Sequence, residues 1–264
     1  MAYLFNFLTK CIASLRLWFR SFRASPSSKE GIVCAARTDR GSRSDNQDSL
    51  YLVQWDDGNT VFAVIADGMG GISHGRIAAR LCTSAFAGIF RTKSKFQSWL
   101  KQEGFTASAP SFPLRKIVAD INQQIMALSK AEDQAVGTTC TALFISDQIC
   151  WYVHCGDTRL YHIRGNLITQ ITTDHSDHAQ KNLLYNFLGI GDFLNIDIDQ
   201  LPLLKGDLLL LCSDGLSNAL SDSTLQEIAT RYPPRVACRK LVKRAKQAAG
   251  NGADNVSVIL MQYQ

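Results

Sequence analysis

The stretch FAVIADGMGG, residues 62–71, sets the strongest constraint on this chain. Five apolar or small residues run into an aspartate, and then the backbone softens through glycines. The pattern recurs. DLLLLCSD ends on Asp214, ICWYVHCGD ends on Asp157, SDNQDSLYLV places Asp48 before an apolar run, and ADNVSVIL does the same with Asp254. Runs of this length, rich in β-branched and aromatic residues and bounded by turn residues, read as buried strands. Strands of one compact sheet bring their ends to a common rim, so these carboxylates converge. Gathered acids repel one another and lose water unless a cation neutralises them. Hard divalent cations such as Mg²⁺ and Mn²⁺ take oxygen ligands of this kind. The rival reading is that each aspartate merely caps a turn.

The strand-like runs DSLYLVQW, TVFAVIAD, TTCTALFI, ICWYVHCGDTRLYHI, LITQIT, DLLLLCSD and NVSVILMQY outnumber the helical segments. Short turns such as IRGNL join them, which predicts antiparallel pairing. Helices are predicted over residues 75–90 (with Ile77, Leu81, Ala85 and Ile89 on one face), over 113–131 (Leu114, Ile117, Ile121, Ile125 and Leu128) and over 235–249. The last would bury Val236, Leu241, Val242 and Ala245 and expose Arg239, Lys240, Lys243, Arg244 and Lys246 as a solvated basic face. This count disfavours an alternating doubly wound fold and favours packed sheets with helices outside.

Charge is informative once divided. Residues 1–30 carry Lys10, Arg16, Arg20, Arg23 and Lys29 against Glu30, whereas residues 31–264 are close to neutral. Nucleic acid is therefore not an expected partner. Residues 1–30 read as an amphipathic basic extension and linker, and residues 31–264 as one catalytic domain. Within 1–23, Leu4, Leu8, Ile12, Leu15, Phe19 and Phe22 recur at helical spacing, but Lys10 and Arg16 break any run of the ~20 residues a spanning helix needs. The segment suits either a membrane surface or a docking partner. Eight cysteines without a C-x-x-C pair read as core thiols of a reducing, cytoplasmic compartment. A dinucleotide fingerprint fails at Ser73, and there is no phosphate loop or serine nucleophile elbow.

Seven segments in order, GSRSDNQD (41–48), ADGMGG (66–71), GTTCTAL (137–143), CGDTRLY (155–161), TTDHS (172–176), CSDGL (212–216) and ADNVSVIL (253–260), resemble the metal-dependent protein phosphatase 2C family, bacterial-type members especially. The resemblance implies an α+β fold, a four-layer α-β-β-α sandwich with two central antiparallel sheets. It implies hydrolysis of phosphoserine and phosphothreonine in proteins, and hence an opposing serine/threonine kinase. Two Mn²⁺ or Mg²⁺ ions are implied, with a weaker third. By position, Asp67 matches the bridging carboxylate, the carbonyl of Gly68 completes one ion, Asp214 and Asp254 bind the other, and Asp157 serves the third. Arg43 matches the phosphate-gripping arginine, Asp48 an acid that orders water, and Asn255 a residue that orients Asp254.

The chain departs from the pattern in places. Gln47 stands where many members have glutamate, and Met69 where animal enzymes have a histidine assigned as general acid. Ile72 and Arg76 replace a histidine and a glutamate. The segment 178–187 is shorter than the flap of bacterial relatives, which is expected to open the site. The alternative function is a catalytically weak phosphoprotein-binding domain of the same fold. Arg43, Asp67, Asp214 and Asp254 argue against it, because a purely structural copy has no need of four separated charges that cost desolvation.

Overall fold

The computed structural model describes residues 31–70, 74–105, 111–177, 183–191 and 194–264. The reading of residues 1–30, the substitution at Ile72 and the tip of the shortened flap lie outside the described residues. Among the described residues, eleven strands and six α-helices follow one another: β1 (Ile32–Asp39), β2 (Asp48–Gln54), β3 (Val61–Met69), α1 (His74–Phe90), α2 (Lys93–Gln102), α3 (Ser111–Glu132), β4 (Gly137–Thr138), β5 (Cys140–Ser146), β6 (Ile149–Cys155), β7 (Arg159–Arg164), β8 (Leu167–Gln170), β9 (Asp197–Pro202), β10 (Leu208–Cys212), α4 (Asp214–Ser217), α5 (Asp222–Arg231), α6 (Pro234–Ala249) and β11 (Val256–Tyr263).

Two antiparallel sheets carry the fold. One has the order β1-β11-β10-β7-β8 and the other β2-β3-β5-β6-β9, with the short β4 paired to the end of β3. Alternation along the strands shows why both sheets are buried on both faces. Phe62, Val64 and Ala66 of β3 pack with Ala78, Ala79, Cys82, Phe86 and Phe90 of α1 and with Ile117, Ile121 and Ile125 of α3. The intervening Val61, Ala63 and Ile65 face the opposite way and meet Leu209 and Leu211 of β10 and Ile259 and Met261 of β11. Leu208, Leu210 and Cys212 then face α5 and α6 on the far side. The central strands β3, β5, β10 and β11 serve two cores, so they read as continuous apolar runs rather than alternating ones. The layer order is helix, sheet, sheet, helix, as the resemblance implied.

The buried face of α1 differs from the one the large aliphatics suggested. Gly75, Ala78, Ala79, Cys82, Thr83, Phe86 and Phe90 point inward, while Ile77, Leu81, Ala85 and Ile89 are only half-buried flanks. Small residues let the helix axis approach β3, and that close approach outweighs the burial of larger chains. In α6, Val236 is likewise half-buried, and Ala237 and Cys238 take the inner position. Strands β1 and β9 and helices α2 and α5 fall outside the runs read from sequence. No helix among the described residues is long and apolar enough to cross a membrane. Their seven cysteines are free thiols.

Candidate active site

The strand register explains two of the acids at once. Asp48 opens β2 and sits directly opposite Asp67 near the end of its neighbour β3. Asp214 follows β10, and Asp254 precedes β11, the strand paired with it. Ser213 ties the two sheets together at this rim: its hydroxyl donates to Asp48 Oδ2 at 2.8 Å and accepts from the Ser257 N–H at 2.9 Å. Asp157 joins them from the turn after β6.

Electrostatics identifies these five acids as one cluster. Burial, followed by repulsion from Asp48, Asp214, Asp157 and Asp254, holds the Asp67 carboxyl well above the usual carboxylate range. Burial pushes Asp48 up to about 6, and Asp214 adds to that. Burial and then Asp214 and Asp174 push Asp157 up to about 7. Asp214 is raised by burial and then by Asp254. Such a site favours either protons or cations. One buried oxygen, Asp48 Oδ1, has no hydrogen-bond partner among the described residues. An all-oxygen donor set with an orphaned acceptor and mutual repulsion fits hard divalent ions.

The backbone around the cluster is tightly held. The Asp67 N–H donates to Thr139 Oγ1 at 2.9 Å, and its carbonyl accepts from the Thr139 N–H at 2.8 Å and from Thr138 Oγ1 at 2.9 Å. Gly68 is buried between neighbours: a Cβ there would collide with the backbone of Gly75 at the start of α1. The glycine is therefore required by the helix that packs on it, a reason the sequence did not display. Gly215 has an equivalent role, since a Cβ there would strike the Asn255 carbonyl and crowd Asp254.

Arg43 lies on the exposed loop 40–47, and its Nη2 donates to Asp254 Oδ2 at 2.7 Å. Asn255 secures that loop. Its side chain donates to the carbonyls of Arg40 and Asp45, both at 2.9 Å, and accepts from the Gln47 N–H at 2.8 Å. Only its backbone N–H contacts Asp254, at Oδ1 and 2.8 Å. The side chain thus clamps the arginine loop rather than orienting the aspartate. The Gln47 carbonyl accepts from the Gly68 N–H at 3.2 Å, and its side-chain oxygen lies against Gly75. Arg76 pairs with Asp45 of the same loop at 3.0 Å.

Neither acid nor base of the TTDHS segment joins the cluster as a ligand. Asp174 holds Arg159 in a fork, with nitrogen–oxygen distances of 2.6–3.0 Å. A second group, His154, His175 and Asp197, brings ligand atoms within 4.8 Å of one another. Its nitrogens are already committed. His175 Nδ1 accepts from Asn186 Nδ2 at 2.7 Å and from the Gly156 N–H at 3.2 Å, which leaves its proton on Nε2 for Asp197 at 3.0 Å. His154 contacts Thr141 Oγ1 and the Thr173 carbonyl. The group is a latch for the turn that carries Asp157. The motifs GTTC, CSD and DHS contain Thr138, Thr139, Ser213 and His175 without showing these roles, and His154 and Asp197 lie outside them.

A family model for protein phosphatase 2C matches residues 37–248. The chain belongs to the protein phosphatase 2C family. It is 31% identical over 243 residues to the protein phosphatase PhpP of Streptococcus pneumoniae, covering 85% of this chain and 94% of the relative. The serine/threonine phosphatase stp of Listeria monocytogenes is 27% identical over 251 residues, with 86% and 94% covered. Among solved structures, the Mycobacterium tuberculosis phosphatase PstP superposes with a TM-score of 0.75 at 28% identity, covering 88% of this chain and 99% of that one. The catalytic domain of PstP in complex with two manganese ions superposes with a TM-score of 0.72, again at 28% identity, with 88% and 97% covered.

Proposed function

We infer that this protein phosphatase 2C member is a metal-dependent protein serine/threonine phosphatase. The observation that carries this reading is the convergence of Asp48, Asp67, Asp157, Asp214 and Asp254, drawn from both sheets, with the first four held above their ordinary range by burial and the repulsion of neighbouring acids. Asp67, the carbonyl of Gly68, Asp214 and Asp254 would hold two Mn²⁺ or Mg²⁺ ions, with Asp157 and Gln47 serving weaker or indirect contacts. When bound, such ions lower the pKa of water and offset the charge that develops on a phosphoryl group.

The chain's own residues supply position and charge. Arg43 is placed to grip the substrate phosphate, because its planar fork donates two parallel hydrogen bonds. To reach a phosphate, Arg43 would give up its contact with Asp254. Asp48 has one oxygen fixed by Ser213 and one free to accept from a water within the cluster. Met69 brings no proton to the leaving oxygen, which then takes one from solvent. The rate is expected to depend steeply on leaving-group pKa across aryl phosphates; a flat dependence would remove this point.

The substrates of this reading are cytoplasmic phosphoproteins, acted on in opposition to a serine/threonine kinase. The segment 1–23 is proposed to contact a membrane surface or a partner. The deciding experiment is hydrolysis of p-nitrophenyl phosphate and of a phosphothreonine peptide with Mn²⁺, with and without chelator. Turnover is expected only with the metal, and Asp214→Asn is expected to lower it at least about a thousandfold, a size reached when charge stabilisation at a site is lost. A folded wild-type protein that binds phosphopeptide without turnover would instead support the binding-domain alternative.

A further inference from the structure

Helix α6 carries Arg235, Arg239, Lys240, Lys243, Arg244 and Lys246 and no acidic residue. Residues 31–264 hold 23 Lys and Arg against 22 Asp and Glu, so a quarter of the positive charge of an almost neutral body lies on one helix. Two of the six are accounted for. Lys246 pairs with Asp39 at 2.8 Å, and Lys240 lies 4.4 Å from the centre of the Tyr232 ring. Arg235, Arg239, Lys243 and Arg244 are exposed, and none has an ion-pair or hydrogen-bond partner among the described residues.

This arrangement works against the helix itself. Arg235, Arg239 and Lys243 stand four residues apart in succession, as do Lys240 and Arg244. Like charges at that spacing destabilise a helix. Arg235 also sits in the first turn, where the helix dipole disfavours a cation. Packing explains only the inner face, Ala237, Cys238, Leu241, Val242 and Ala245. Arg235, Arg239, Lys243 and Arg244 gain no such contact among the described residues, so an external anion is what would offset their repulsion.

We propose that the outer face of α6 docks on an anionic lipid bilayer. The cations form a strip along the outer face of the helix. A diffuse strip matches a diffuse layer of headgroups better than a single carboxylate or phosphate. The chain immediately before β1 carries the other concentration of positive charge, Lys10, Arg16, Arg20, Arg23 and Lys29. It is joined to the strand that α6 covers, where Cys238 Sγ approaches the Ala35 carbonyl at 3.5 Å. The far end of α6 reaches the site: Ser42 Oγ donates to the Gly250 carbonyl at 3.2 Å, beside Arg43. A bilayer along α6 therefore sets the orientation of the active-site rim.

The test uses full-length protein and vesicles of phosphatidylcholine, alone or with roughly a third phosphatidylglycerol, together with an Arg239→Gln, Lys243→Gln, Arg244→Gln variant. Each basic residue near an anionic leaflet contributes about fivefold to partitioning. Wild type is expected to float with the anionic vesicles and not with the neutral ones. The triple variant is expected to bind roughly a hundredfold more weakly, with unchanged p-nitrophenyl phosphate turnover and an equal or higher melting temperature. Failure of wild type to bind, equal flotation of the variant, or a lower melting temperature would overturn the proposal. So would unchanged flotation with a raised KM for an acidic phosphopeptide, which would make α6 a protein-docking surface. None of these outcomes touches the phosphatase reading, which the metal-dependent turnover tests separately.

Discussion

A carboxylate that resists ionisation in the folded chain makes a statement about stability as well as chemistry. Asp48 and Asp157 titrate at about 6 and about 7 when folded, against about 3.9 for an unperturbed aspartate. Their folded values are raised, so between about pH 4 and 7 the native state holds more protons than the unfolded one. The contribution of these groups is most favourable at low pH and is lost as the pH rises through their folded values. The metal-free protein is expected to melt lower at about pH 7.5 than at about pH 6 in this respect. The rise in melting temperature on adding Mn²⁺ is expected to grow over the same interval, because protons no longer compete for the oxygens. Equal metal-induced shifts at both pH values would contradict the cluster as described. The corresponding substitution is Asp157→Asn, which removes a buried charge. It is expected to raise the melting temperature of the metal-free protein at neutral pH by roughly 2–4 °C for each kcal/mol relieved, while lowering turnover with metal present. Asp67 belongs to the same argument, and Asp67→Asn is expected to combine a more stable metal-free fold with loss of activity, a pairing that calorimetry and a phosphatase assay detect together.

Elements place these residues, and here the sequence was uneven as a guide. The acids were legible because each ends or begins a run of apolar residues, and strand ends share a rim. The loop 40–47 was not, because what fixes it lies more than 200 residues away. Asn255 bonds Arg40, Asp45 and Gln47 across sequence separations of 215, 210 and 208 residues. No local pattern encodes such a contact. The face of α1 was misread for the opposite reason: the local pattern of large aliphatics was clear, but the close packing of Gly75 on Gly68 decides which side turns inward. Strand β9, DIDQLP, is mostly polar because it lies at a sheet edge with little of its surface in a core. Asn255→Ala tests the clamp. It strands three backbone groups, each costing about 1–3 kcal/mol if left unsatisfied, although solvent reaches part of the loop. A fall of roughly 5–15 °C in melting temperature is expected, by the same size scaling. The KM for phosphopeptide is expected to rise more than kcat falls, since Arg43 loses its support while the acids stay in place. An unchanged KM would mean that the loop is held by other contacts.

At the scale of the molecule, the candidate site is a seam. Asp48 and Asp67 come from the sheet β2-β3-β5-β6-β9, and Asp214 and Asp254 flank strands of the sheet β1-β11-β10-β7-β8. The two sheets are joined below the seam by apolar packing of residues such as Ile65, Leu211 and Ile259. At the rim they are joined by polar bonds such as Ser213 to Asp48 and Gln47 to Asn255, while the acids present like charges to each other. A cation bound between those charges is a cross-link as well as a reagent, since it turns repulsion between the layers into attraction. Local opening should therefore be concentrated at this rim in the metal-free protein and suppressed when metal binds. Hydrogen exchange provides the measurement. Amides whose bonds lie at the seam, those of Asp67, Thr139, Ser213 and Ser257, are expected to gain protection together on adding Mn²⁺, while amides at the opposite ends of the same strands change little. Protection confined to one sheet would show that the ion is held by one layer alone, and the picture of a metal clasp between two sheets would have to be given up.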